Sequence, residues 1–138
     1  MDQFEMIASY APYGIDFLDQ EDKLLKGSII YKYMCLNDLY VKWRSHQITP
    51  ILHPFSEAQK LITREITAHH LGETHNETIV NLFDYNVTGT SDLYFIDPTR
   101  LPYYSFRWLL QGHFDVYGLI PSGMAISYSD YYAKFFKI

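Results

Sequence analysis

Basic residues are missing from a long middle stretch of this chain. No lysine or arginine occurs between Arg64 and Arg100, whereas Glu65, Glu73, Glu77, Asp84, Asp92 and Asp97 all lie there. With 11 basic residues against 16 acidic ones, the formal net charge is −5. That balance argues against direct nucleic-acid binding, which needs a basic footprint to displace counterions. Cysteine is almost as scarce. Cys35 has no partner for an internal disulfide, and its place between Met34 and Leu36 suggests a buried, inert thiol in a reducing compartment. No apolar run approaches the ~20 residues of a membrane-spanning helix. The first residues, with Asp2 and Glu5, lack the basic-then-apolar order of a secretory leader. The expected location is the cytoplasm, where the sequons at Asn76 and Asn86 carry no meaning.

Recognisable catalytic signatures are lacking as well. Neither GxxxxGK[ST] nor GxGxxG occurs, so nothing supports nucleotide-driven chemistry. There is no GxSxG, and Cys35 sits in a predicted apolar strand, so a nucleophile beside an oriented histidine has no candidate. His113 and Asp115 are two residues apart, and on a helix they point in different directions.

Large apolar side chains, by contrast, are plentiful. The 138 residues are 48% apolar and include 13 Tyr and 9 Phe, too many for a disordered chain. The length suits one domain over residues 1–138, and such a domain buries roughly 65–70% of the surface its unfolded chain exposes. The densest apolar stretch is 102–120. Pro102 suits the first turn of a helix, and Phe106, Leu109, Leu110, His113, Phe114 and Tyr117 recur at helical spacing. One helix over about 102–115 is predicted, although Gly112 offers an earlier end at Gln111. Gly118 and Pro121 supply the stop beyond.

Ser56 and Gln59 have the spacing of a capping box before a second helix, about 57–66, with Ala58, Leu61, Ile62 and Ile66 as its inner stripe. Asp2 is placed to cap a first helix ending near Tyr10. Ile15 to Leu18 reads as a short strand. The β-branched and aromatic residues of 28–34 and the alternation of Leu39, Val41 and Trp43 predict a β-hairpin turning at 36–38. Ile48 to Leu52 reads as an edge strand because Pro50 cannot donate to a ladder. Residues 68–76 read as an exposed loop, 79–85 as helix or strand, 86–91 as a turn, 93–96 and 124–126 as strands, and 131–136 as a terminal helical turn or strand. The fold class is therefore α+β: a small, mostly antiparallel sheet packed against two main helices, about 57–66 and 102–115.

HFDVYGLI (113–120) followed by SGMAI (122–126) resembles the tail of a group of small uncharacterised proteins of bacterial phages and integrated mobile elements. APYGI (11–15) and ILHPFSEAQKLITREI (51–66) resemble the same group more loosely. Tyr117 stands where that group has Phe, and Pro121-Ser122 where it has a charged pair. The resemblance implies a genomic context and a bacterial host cell, with no catalytic residues to carry over.

Two constellations remain. His69, His70 and His75, with Glu73 and Glu77, include ligand types that zinc or iron accepts, yet their spacing matches no metal motif, so no metal or cofactor is assigned. A metal-dependent hydrolase built on them is the weakest alternative. The acidic 65–99 segment and the aromatic C-terminus instead suggest protein contact, with Glu73, Glu77, Asp84, Tyr131 and Tyr132 as partner-binding candidates. Phe135 and Phe136 are expected in the core. The leading expectation is a non-enzymatic accessory protein binding a host protein. In its concrete form it inhibits a nucleic-acid-guided defence enzyme, anti-CRISPR-like, by occupying a basic groove. The alternative is a phage assembly protein forming homo-oligomers. No membrane partner is expected.

Overall fold

The Asp2 carboxylate accepts the Glu5 amide N–H at 2.8 Å, so the first helix, α1 (Gln3–Tyr10), starts capped as expected. In the computed structural model, which describes residues 2–87 and 98–136, a 3-10 turn closed by left-handed Gly14 ends that helix. β1 (Phe17–Asp19) then turns back into β2 (Leu24–Leu25), the turn held by Asp19 Oδ1, which accepts the Glu21 and Lys23 N–H groups at 2.8 Å each. Two helices follow, α2 (Gly27–Tyr33) and α3 (Leu36–Arg44), then β3 (Ile48–Leu52). Beyond it lie α4 (Phe55–His70), α5 (Glu77–Val87), α6 (Tyr103–Gln111), β4 (Ile126–Ser127) and α7 (Tyr128–Phe135).

The sheet order is β2-β1-β3-β4, with β1 antiparallel to both of its neighbours and β4 parallel to β3. The α+β class and the mostly antiparallel sheet are thus as the pattern predicts. One buried cluster joins the sheet (Phe17, Ile48, Leu52) to α4 (Ala58, Ile62, Ile66), α5 (Ile79, Phe83) and α6 (Leu109, Leu110). No helix among the described residues is long and apolar enough to cross a membrane.

The predicted hairpin over 28–43 is replaced by α2 and α3. A strand would put Leu39, Val41 and Trp43 on one face, but Leu39 and Trp43 are buried while Val41 is 59% exposed. Their four-residue spacing is the helical one. Asp38 in the first turn and Lys42 and Arg44 in the last complement the helix dipole. The reassignment also moves Cys35, which is exposed at the start of α3 rather than buried in a strand.

Pro50 is not on an edge. It lies opposite Phe17 in a central strand, yet pairing with β4 begins only at Ile51. Since the Ile51 N–H donates to the Asp16 carbonyl at 2.9 Å, the alternation turns the Pro50 nitrogen away from β1, and its missing donor costs the ladder nothing. The Met124 carbonyl, just before β4, is satisfied from elsewhere, by the Trp43 indole Nε1–H at 2.8 Å.

Pro54, not Ser56, occupies the cap of α4, so the capping box does not form and the helix starts earlier and runs on to His70. The 79–85 stretch is helical, within α5. The turn and strand predicted at 86–91 and 93–96 fall largely outside the described residues. α6 stops at Gln111 because Gly112 makes room for the Phe114 ring, which a Cβ there would meet at 2.6 Å. The chain then reverses through His113 at φ +60°. Phe114 bridges His53 beside the sheet, and Asp115, buried, accepts the Leu119 and Ile120 N–H groups at 2.8 Å each. Tyr10 ties this segment to α1: its hydroxyl donates to the Phe114 carbonyl at 2.6 Å and accepts the Val116 N–H at 3.2 Å.

Candidate partner-binding site

α4 and α5 pack together as a hairpin, with Ile62 and Ile66 facing inward and charged residues facing outward. His69 and His70 close α4, and the loop 71–76 reaches α5, where the Asn76 side chain accepts the Thr78 and Ile79 N–H groups at 3.0 and 3.3 Å. This is the N-terminal capping that asparagine provides. Glu65 Oε2 accepts the Asn76 N–H at 2.8 Å, and that bond, ahead of the Arg64 guanidinium, holds its carboxyl below the ordinary carboxylate value.

His75 lies at the centre of the loop. One ring nitrogen donates to the Glu73 carbonyl at 3.0 Å and the other to Glu77 Oε1 at 2.7 Å. Carbonyl and carboxylate only accept, so the pair of bonds calls for the imidazolium form. The Glu73 carbonyl first, then Glu77 and the charge of Glu65, push the His75 pKa up against the opposing effect of partial burial. His69 Nδ1 lies 3.2 Å from the same His75 nitrogen that meets Glu77. His70 Nε2 meets Asp84 Oδ1 at 2.8 Å, joining the end of α4 to the middle of α5. The histidine loop is thus bonded within itself, and no group of three or more His, Cys, Asp or Glu among the described residues could hold a metal ion.

Glu73, Glu77 and Asp84 therefore belong to one hairpin, where Glu73 and Glu77 are exposed and Asp84 is half-buried against His70. Tyr131 and Tyr132 lie elsewhere, on α7, which packs on β3 and β4. Ser127 starts this helix by accepting the Asp130 N–H at 3.0 Å, and Lys134 reaches Asp22 of the β1–β2 turn at 3.1 Å. Tyr128 stacks on His53 with ring centroids 4.3 Å apart. The rest of the helix is an outward aromatic ladder. Tyr131 lies 5.1 Å from Phe135 and 6.1 Å from Phe136, and Tyr132 lies 5.5 Å from Phe136.

Phe135 and Phe136, expected in the core, are exposed, the latter by 59%. α7 buries none of its own residues: it touches the sheet through Ser127, its cap in β4, and the half-buried Tyr128, and the later turns lie out in solvent. Sequence reasoning also missed the exposed pair Tyr103 and Tyr104 at the start of α6. They precede the helix's apolar stripe, which was the available signal. His113, half-buried at the edge of the core, donates from Nε2 to the Tyr13 carbonyl at 2.8 Å.

Comparison with known proteins finds no matching family model, curated protein or solved structure.

Proposed function

We propose that this chain is a non-enzymatic accessory protein of a phage or integrated mobile element that works by binding a host protein. The aromatic ladder on α7 carries the reading. Tyr132 on α7 and Phe136 just after it are more than half exposed, and the helix is tied at its start by the Ser127 cap and near its end by the Lys134–Asp22 pair. Aromatic anchors presented on a fixed element are what protein interfaces are built around. The acidic α4–α5 hairpin gives the partner its sign: a surface rich in lysine and arginine, such as the nucleic-acid groove of a defence enzyme.

The test is affinity capture by the tagged protein from the bacterial host, repeated with Tyr132→Ser/Phe136→Ser and with Glu73→Lys. Glu77 and Asp84 are spared because they hold His75 and His70. The reading expects a stoichiometric partner with a basic groove, its nucleic-acid binding competed away by this chain, loss of capture with the aromatic variant and weaker capture with Glu73→Lys. Capture indifferent to both variants would remove the reading, and ordered homo-oligomers without a partner would replace it with an assembly role.

A further inference from the structure

A second surface differs in sign from the rest of the molecule. An open groove of about 810 Å³ runs along β2 and is walled by α2, with Leu24, Leu25, Ile29, Ile30, Met34 and Ile48 as its apolar lining. Its volume is in the range of sites that bind ligands. Ile29 is 56% exposed and Tyr33, at the mouth, 84%, so apolar surface is left open to solvent here.

Lys23, Lys26 and Lys42 stand around this lining. None has an ion-pair partner among the described residues. Asp19 and Glu21 line the groove too, Asp19 with its carboxylate turned to two turn N–H groups, and Asp22 is taken by Lys134, so three lysines stand against two carboxylates here. In a chain of net charge −5, this is a local excess of positive charge over an apolar floor.

The groove also offers backbone. β2 is one of the two outer strands of the sheet. The Asp19 N–H donates to the Lys23 carbonyl at 3.0 Å, so residues 19 and 23 form a bonded pair and Leu24, opposite Leu18, falls at the alternate position. There its N–H and C=O turn away from β1, and neither meets a partner among the described residues.

From free edge groups, apolar floor and unpaired lysines together, we infer that the groove binds an extended acidic peptide segment of a partner protein, added as a strand to β2. The peptide backbone pairs with Leu24, alternate apolar side chains enter between Leu24, Ile29 and Met34, and carboxylates between them meet Lys23, Lys26 and Lys42. Edge lysines ordinarily repel strand addition. A peptide bearing carboxylates at those positions turns that repulsion into selection. This site is independent of the α7 ladder.

The probe is a short capped peptide alternating Glu with Val and Leu, titrated calorimetrically into the full chain. Its Lys-for-Glu counterpart and a version N-methylated along one edge are the controls. Binding of the acidic peptide is expected, weakened about tenfold or more by either control and by Lys23→Glu/Lys26→Glu. The α7 variants should leave it unchanged. Ile29→Asp, at an exposed position, gives a second disruption that spares the fold, checked by an unaltered unfolding curve. Equal binding of the N-methylated peptide, or dodecanoate binding in the groove with no peptide binding, would overturn the strand-addition reading. No binding of any peptide would overturn it outright.

Discussion

Gly27 is fixed by the backbone of its neighbours rather than by the helix it begins. A Cβ there would fall on the carbonyl oxygens of Gly14 and Ile15, and its N–H is held by Asp16 Oδ1 at 2.9 Å. Backbone cannot move aside as a side-chain tip can, so Gly27→Ala is expected to destabilise by about 1–3 kcal/mol or more through overpacking. Gly72 provides the comparison. It is left-handed at φ +73° with nothing near its would-be Cβ, so Gly72→Ala carries the conformational cost alone, about 1 kcal/mol. Denaturant unfolding of the two variants separates these causes, and a Gly27→Ala loss no larger than that of Gly72→Ala would mean the close approach is absent. The two glycines look alike in the sequence. The difference arises from a contact between segments thirteen residues apart, which local pattern does not encode.

Elements were legible where one signal dominated. The stripe Ala58, Ile62 and Ile66 identified α4, and Asp2 marked the start of α1. The stretch 27–44 failed because β-branched and aromatic residues favour strands intrinsically, while its fate is decided by which of them the rest of the fold buries. Leu39 and Trp43 are buried, and Val41 between them is not. Leu39→Ala is accordingly expected to cost about 2–5 kcal/mol, and Val41→Ala to stay within about 0.5 kcal/mol. Comparable losses at both positions would fit the two-faced strand instead. The capping box at Ser56 failed for a similar reason: Pro54 offered an earlier start. Of the candidate site, the run of acids was readable from charge alone but its helical hairpin was not, since 79–85 fitted helix and strand alike, and the exposure of Phe135 and Phe136 depends on which face of α7 the sheet meets.

The α4–α5 loop also has a pH dependence with a definite sign. His75 is raised above its ordinary 6.5, chiefly by the Glu73 carbonyl, so its contribution is fully present below that value and lost as pH rises through the raised one. Glu65 is lowered from 4.5, chiefly by the Asn76 N–H, so its contribution is present above 4.5 and lost as pH falls through the depressed value. The loop is held best between those limits, in weakly acidic solution. In urea unfolding across pH, the deficit of His75→Gln relative to the unaltered chain should be largest below 6.5 and shrink on the alkaline side. A deficit that is constant with pH would show that His75 acts by packing alone.

On the scale of the whole molecule, the distinctive surfaces lie on different elements. The acids of the α4–α5 hairpin, the aromatics of α7 and the lysines of the β2 groove occupy different elements, while the interior is held by a largely apolar cluster. Salt should therefore act on association and hardly on folding. Exposed pairs such as Lys134–Asp22, with half-open side chains, contribute about 0–1 kcal/mol each. Raising ionic strength to 1 M shortens the screening length from about 8 Å to about 3 Å. The thermal midpoint should then shift by no more than the few degrees that about 1 kcal/mol represents. Affinity for the basic partner proposed above should fall about tenfold or more over the same range, because long-range attraction is screened while an apolar contact through Tyr132 and Phe136 would not be. Calorimetric unfolding and partner titration in matched buffers measure both. A midpoint that collapses with salt would place the charged surface among the forces that hold the fold. An affinity that does not move would assign recognition to the α7 aromatics alone, with the acidic hairpin keeping the chain soluble.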